Sequence, residues 1–348
     1  MSVRPAATVH HRFAQLADAN STAAKPLSVS VVIEWENASR IGLERVRKAL
    51  FELNEQIRKA PQDLIATIEI IFVYDGDSLT EEDISQEVTA ISKKWAADIR
   101  YIASPTEEYY QQKNFGAQHA RGEILLFLDS DVVPQPGWLT SLLGTFHQYE
   151  AEIVSGSTFV EATGFYSKAM ALGWLFALRP SKSDTVRVTR FHANNVAIRA
   201  ALFADISFPT SLQYRGAIDF LFRELAARNI IILQNRAALV THPPPVWGRA
   251  FVLRGLWHGY DAWYSIYQKH QGLACLWRGI ASAIIKMMRA QQSVWRGHRQ
   301  VDLGLAGAAL ASLINFVFFA IRLTGFLGAF VSPSSFRRRL LAAEGKGE

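Results

Sequence analysis

The chain of 348 residues contains one cysteine, Cys275. A single thiol closes no disulfide within the chain and builds no cysteine-based zinc site, a usage that suits a reducing compartment. No His-bearing motif accompanies it, so it reads as a buried spectator rather than a nucleophile. Residues 1–26 lack the continuous apolar core of a secretory signal and read as a tail ending near Pro26. There is no internal repeat and no low-complexity block. Neither a zinc finger nor a basic recognition helix accompanies the net charge of +6. That excess of cations therefore points to an anionic small molecule or an anionic membrane surface, with no nucleic acid partner expected.

The apolar runs are what the sequence supplies in their place. Ser28–Ile33 (SVSVVI) and Thr67–Tyr74 (TIEIIFVY) are continuous and rich in β-branched residues, as strands buried on both faces are. Val46, Ala49, Leu50, Leu53 and Ile57 recur at helical spacing, and so do Ile84, Val88, Ile91 and Trp95. Asp98–Ile102 predicts a third strand, residues 111–121 a helix, and Ile124–Leu128 a fourth strand. Strands alternating with helices predict an α/β fold with a mainly parallel sheet flanked by helices.

That arrangement gives the acidic residues a location. Ligands of open α/β sheets bind outside the carboxyl ends of the strands. Strand one runs into Glu34-Trp35-Glu36-Asn37, strand two into Asp75-Gly76-Asp77-Ser78, and strand four into Asp129-Ser130-Asp131. Three strands thus deliver carboxylates to one edge. Acids at positions i and i+2 share a side if the backbone stays extended, and can share a hard divalent cation such as Mg2+ or Mn2+.

Lys113-Asn114-Phe115-Gly116, Ala120-Arg121-Gly122-Glu123, Asp129-Ser130-Asp131 and Pro134-Gln135-Pro136-Gly137-Trp138-Leu139 follow one another in order. The run resembles the core signature of the inverting family 2 glycosyltransferases of GT-A fold. Tyr74–Ser78 is similar to that family's Asp-Asp-Gly-Ser stretch, and residues 191–199 to its Gly-x-Asn-x-Ala-x-Arg segment, with Asn195 on the family Asn. The resemblance implies a GT-A fold and transfer of a sugar from a nucleotide-diphosphate donor, UDP-sugar favoured, to a glycan or lipid-linked acceptor. It implies donor contacts from Glu34, Asn37, Asp75, Lys113, Asp129 and Arg254, and an acceptor side at Asn195 and Trp247. Asp129, Asp131 and His242 become the expected ligands of Mg2+ or Mn2+. The usual Glu-Asp pair of the catalytic base is missing. Aligned on Arg223, Asp219 is the second acid of the helix and Gly216-Ala217 stand where Glu-Asp should be; with a short deletion Asp219 is the base itself, and as the only carboxylate before Glu224 in that segment it is taken as the base. The alternative is a non-catalytic nucleotide-sugar-binding or assembly subunit of a polysaccharide biosynthesis or export system. A nucleotidyltransferase is disfavoured because no Gly-rich phosphate loop follows strand one.

The C-terminal third has a different composition. Residues 255–289 are rich in Trp and Tyr with interspersed cations, which suits helices lying in a bilayer interface or a helical pair buried against the rest of the protein. Leu303–Ile321 carries no charge and has the length of a membrane span, Arg322 interrupts it, and Arg337-Arg338-Arg339 follow. The expected organisation is a tail over 1–26, a catalytic domain over 27–250, interfacial helices over 251–300, a membrane segment over 301–332 and a basic tail over 333–348. A span, or a re-entrant hairpin broken near Arg322 and Gly325, would anchor the protein with its catalytic domain in the cytoplasm.

Overall fold

The computed structural model describes residues 25–35, 38, 42–106, 108–173, 178–180, 182–210, 218–244 and 246–344. The predicted alternation appears as β1 (Leu27–Glu34), α1 (Leu43–Lys59), β2 (Ile65–Asp75), α2 (Glu81–Ile91), β3 (Asp98–Ser104), α3 (Tyr109–Gln118) and β4 (Ile124–Asp129). The buried stripe of α1 includes Val46, Ala49, Leu50, Leu53 and Ile57, the residues whose spacing predicted it. Thr80 and Asp83 cap each other's backbone at the start of α2. Trp95 lies beyond that helix and donates its indole N–H to the Val88 carbonyl at 3.3 Å. Helix α3 stops at Gln118, so Arg121 belongs to the turn into β4 and not to the helix.

The sheet continues through β5 (Val133–Pro134), β6 (Ile153–Val160), β7 (Thr185–Val188), β8 (Asn195–Arg199) and β9 (Ile232–His242). Its order is β3-β2-β1-β4-β8-β6-β9-β5, with β7 paired to β9. The four strands predicted from their apolar runs are parallel. Strand β8 lies antiparallel between β4 and β6, and β7 lies antiparallel to β9. The sheet is therefore mixed, with its parallel half built first. Strand β4 is buried over its whole length; each of its large apolar side chains contributes about 1.5–3 kcal/mol by leaving water. Helices α4 (Trp138–Tyr149), α6 (Ala200–Asp205) and α7 (Ile218–Ala227) accompany these strands.

The chain forms two compact units. The first takes residues through Thr158, then Pro180–Thr210 and Phe220–Val240; the second takes Phe159–Arg179, Ser211–Asp219 and Thr241–Glu348. The segment read as one catalytic domain over 27–250 is thus interrupted by α5 (Phe165–Gly173), which groups with the C-terminal helices. Those helices are α8 (Arg249–Tyr267), α9 (Gly272–Gly297), a 3-10 turn at His298–Val301, α10 (Leu305–Val331) and α11 (Pro333–Glu344).

Two expectations for this region change. First, the aromatic face of α8 is interior: Trp257 is 2% and Trp263 6% exposed. Helix α9 instead leaves Trp277 and Trp295 exposed. Second, no hairpin forms at Arg322 and Gly325; α10 is one continuous helix of 27 residues. The physical reason lies in α8. A Cβ on Gly259 would sit 2.1 Å from the Arg322 carbonyl oxygen, and one on Gly325 would sit 2.2 Å from the Leu256 carbonyl oxygen. The two helices meet backbone to backbone through the small residues of Gly255-x-x-x-Gly259 and Gly325, the close approach that such spacing permits. Arg322 is near enough to Asp261 of α8 to feel its charge. Asn315 is fully buried, its amide donating to the Ala169 carbonyl of α5 at 3.0 Å. The polar interruptions of the apolar run face protein.

Candidate functional site

The strand order reverses between β1 and β4, and the carboxylates gather at the carboxyl ends on that reversal. Glu34 stands directly opposite Asp129 in the β1–β4 register and opposite Val73 on β2. Asp75 ends β2 two residues further on. Glu34 is fully buried, as is the side chain of Lys113.

Helix α3 places that lysine. Gly116 allows the helix to sit on the sheet: a Cβ there would meet Val32 Cγ1 at 2.5 Å and Val73 Cγ2 at 2.7 Å. Lys113 lies one turn earlier on the same face. Its Nζ reaches Asp129 Oδ1 at 2.7 Å and stands 4.7 Å above the ring of Tyr109. The Tyr109 hydroxyl donates to the same carboxylate, 2.8 Å from Oδ1 and 3.0 Å from Oδ2. Asn114 exchanges two hydrogen bonds with the backbone of Phe208, at 2.8 and 3.0 Å. The Lys-Asn-x-Gly run therefore divides its work between one charge at the sheet edge and two packing positions.

Asp131 sits in a turn. The chain leaves β4 after Asp129, and the Val132 N–H closes back on the Asp129 carbonyl at 3.3 Å. The extended presentation expected of the two acids does not form, because that bond folds the backbone between them. Asp131 is buried, and Arg45 of α1 donates to its carbonyl oxygen at 2.7 Å. The Asp75 carboxylate accepts from the Asp77 N–H at 3.1 Å and the Ser78 hydroxyl at 2.6 Å, so it also shapes its own turn. Asn37 lies outside the described residues.

Tyr109 and His192 join this group without having been picked out from the sequence. Burial holds the His192 imidazole down at about 4, against the opposing pull of the nearby Asp129 carboxylate. It is neutral at pH 7. The signal for Tyr109 was its place one helical turn before Lys113. The signal for His192 was its place inside the segment around Asn195.

Asn195 itself is fully buried. It accepts from the Trp138 indole N–H at 2.8 Å and donates to the Ala238 carbonyl at 3.2 Å. A Cβ on Gly156 would lie 2.4 Å from that amide. Asn195 thus ties β8 to α4 and β9.

The remaining expected residues lie in the second unit. Asp219 is half-buried in the first turn of α7; Gly216 and Ala217 lie outside the described residues. His242 is buried at the end of β9, with Nδ1 2.5 Å from the Pro243 carbonyl oxygen. A carbonyl only accepts, so Nδ1 carries the proton and the ring lone pair is at Nε2. Trp247 is 58% exposed and packs edge-on against Tyr166, with ring centres 5.1 Å apart. Burial pushes the Tyr166 phenol up to about 12, and the charge of Arg254 opposes that rise.

Among the described residues, no three His, Cys, Asp or Glu side chains come together as a ready-made metal site. Asp129 already holds Lys113 and Tyr109. The oxygen donors of Asp131 nevertheless suit a hard cation. Mg2+ commonly takes only one or two carboxylates and draws its other ligands from substrate phosphates and water.

Known proteins resemble this chain in sequence and in fold. Residues 41–207 match the family model described as glycosyl transferase family 2. The chain is 29% identical over 126 residues to polypeptide N-acetylgalactosaminyltransferase 12 of Mus musculus, covering 36% of this chain. It is 25% identical over 177 residues to polypeptide N-acetylgalactosaminyltransferase 3 of Drosophila melanogaster, covering 47% of this chain. It spans only 20% and 24% of those relatives' lengths. In fold it is similar to the mannosyltransferase PcManGT from Pyrobaculum calidifontis, whose structure holds GDP-Man and Mn2+. The TM-score is 0.55 at 15% identity, over 93% of this chain and 94% of that one.

Proposed function

We propose, from the match of residues 41–207 to the model of glycosyl transferase family 2, that this protein is an inverting glycosyltransferase. It moves a sugar from a nucleoside diphosphate, a UDP-sugar first among them, to a glycan or lipid-linked acceptor. The observation that carries this reading is the pairing of Glu34 with Asp129 at the strand reversal, with Lys113 held against that acid. Ligands of open α/β sheets bind at such reversals.

In this reading the acceptor hydroxyl oxygen attacks the anomeric carbon of the donor sugar. As that bond forms, the bond from the anomeric carbon to the diphosphate oxygen breaks, and its electron pair leaves with the nucleoside diphosphate. Asp219 takes the proton of the attacking hydroxyl. Asp75 and Glu34 orient the nucleoside, and Lys113 fixes Asp129. Trp247, more than half exposed, offers a surface for the acceptor. Asp131 would help hold Mg2+ or Mn2+, which when bound neutralises charge on the departing diphosphate.

A donor screen with the purified chain tests this, reading release of nucleoside diphosphate with Mn2+ or Mg2+. Asp131→Ala is expected to abolish release; unchanged turnover removes Asp131 from the site. Asp219→Asn is expected to lose transfer and keep nucleotide binding. A wild-type protein that binds UDP or GDP yet transfers nothing across a broad donor and acceptor panel is instead a nucleotide-sugar-binding subunit. The eroded Glu-Asp motif before Asp219 is what motivates that second reading.

A further inference from the structure

Helix α9 divides its surface in three. Cys275, Gly279, Ala290 and Val294 are buried. Trp277, Ile284, Met288 and Trp295 are exposed, at 67%, 45%, 57% and 49%. Trp277, Met288 and Trp295 fall about three and about five turns apart, which sets them on one line along the helix. Arg278, Arg289 and Arg296 each follow one of these residues, so they make a second, exposed line about 100° round. The helix carries four cations and no acidic residue.

Its neighbour α10 runs antiparallel to it. Val294 packs with Ala308 and Ala311, and Cys275 with Phe326 and Ala329. Only 33% of the most apolar stretch of α10 is buried. Leu310, Leu313, Val317, Leu327 and Val331 form its open face.

We propose that α9 lies flat on an anionic lipid leaflet. Its Trp277–Trp295 line is immersed at the boundary of headgroups and acyl chains, and its arginine line meets lipid phosphates. Helix α10, packed on the opposite side of α9, does not cross the leaflet. Tryptophans at both ends of an apolar line, flanked by cations, match what an interfacial helix requires. A crossing α10 would draw the antiparallel α9 into hydrocarbon, with Arg278, Lys286 and Arg289 costing about 2.5–3.5 kcal/mol each. The partner is lipid rather than a second copy of this chain. Two α9 surfaces face to face would set cation against cation, whereas lipid phosphate complements both lines. This inference stands on the α9 surface alone and goes beyond the transfer reaction.

Flotation of the full chain with phosphatidylcholine vesicles, with and without phosphatidylglycerol, tests it. Binding is expected with the anionic vesicles. The triple change Arg278→Gln, Arg289→Gln and Arg296→Gln should weaken it about a hundredfold, at roughly fivefold per arginine near the surface. Trp277→Ser with Met288→Ser and Trp295→Ser should abolish it; all six positions are exposed, so the helix content seen by circular dichroism stays unchanged. Equal binding to neutral and anionic vesicles, indifferent to the arginine changes, overturns the proposal. So does a lipid-free dimer that the serine variant dissociates. Nitroxides on Trp277→Cys and Trp295→Cys, singly, give the depth, since Cys275 is buried. Equal shallow depths are expected; one deep label and one aqueous label would overturn the flat orientation.

Discussion

Lys113 and Asp129 share an ion pair with almost no access to water, a costly arrangement that one missing partner turns against the fold. Lys113→Met should lose about 3–5 kcal/mol in denaturant unfolding. Adding Asp129→Asn to it should restore most of that, because the amide keeps an acceptor for Tyr109 and carries no charge. Glu69 shows the opposite balance at the far end of the same strands. Burial pushes its carboxyl up. The Ser30 hydroxyl at 2.6 Å, the Arg121 N–H at 2.7 Å and the Arg100 guanidinium at 2.9 Å together outweigh burial and hold it below its ordinary 4.5. A carboxyl depressed in the fold adds stability that is fully present above its unfolded value and is lost as pH falls through the folded one. The stability advantage of wild type over Glu69→Gln should therefore hold at pH 7 and shrink below pH 4.5. Unfolding midpoints of both proteins across acid pH check this.

The elements owe their junctions to motifs that resembled a catalytic signature. Ala-Arg-Gly-Glu closes the amino-terminal edge of the sheet, away from the carboxylates. The Gly122 N–H donates to the Ser30 hydroxyl at 2.8 Å, the Glu123 N–H to that of Ser28 at 3.0 Å, and a Cβ on Gly122 would lie 2.5 Å from the Ser30 nitrogen. Pro-Gln-Pro-Gly-Trp-Leu turns β5 into α4: Gly137 takes the left-handed φ of 82°, and Gln56 of α1 bonds the Gln135 carbonyl and the Leu139 N–H. Trp138 then spans to Asn195. Trp138→Phe removes one donor from a buried amide and should cost about 1–3 kcal/mol in denaturant unfolding. These motifs were legible as a pattern because their spacing is local. Their division into scaffold and site was not, since it depends on which strand end each one meets.

At the scale of the whole molecule, close helix packing sets the C-terminal unit. Gly259→Ala places a Cβ against the backbone of α10 and should cost about 1–3 kcal/mol. Gly144→Ala, at a helical position of α4 with open space around it, should gain about 0.5–1 kcal/mol. Thermal melts of the two variants should move in opposite directions. The apolar run beginning at Leu303 was plain in the sequence, yet composition alone could not orient it: Asn315 and Arg322 read as interruptions until α5 and α8 were seen to cover them. The aromatic content of α8 and α9 was equally plain, but only packing buried the one and left the other open. By itself the sequence determined the parallel strands, the amphipathic α1 and the three acidic strand ends, because each follows from periodicity and chain order within a few residues. The tertiary structure decided that Lys113 and Tyr109 engage Asp129, that a turn separates Asp131 from it, and that α10 is one helix. Each of those depends on residues distant in the chain, or on a backbone turn, that side-chain periodicity does not encode.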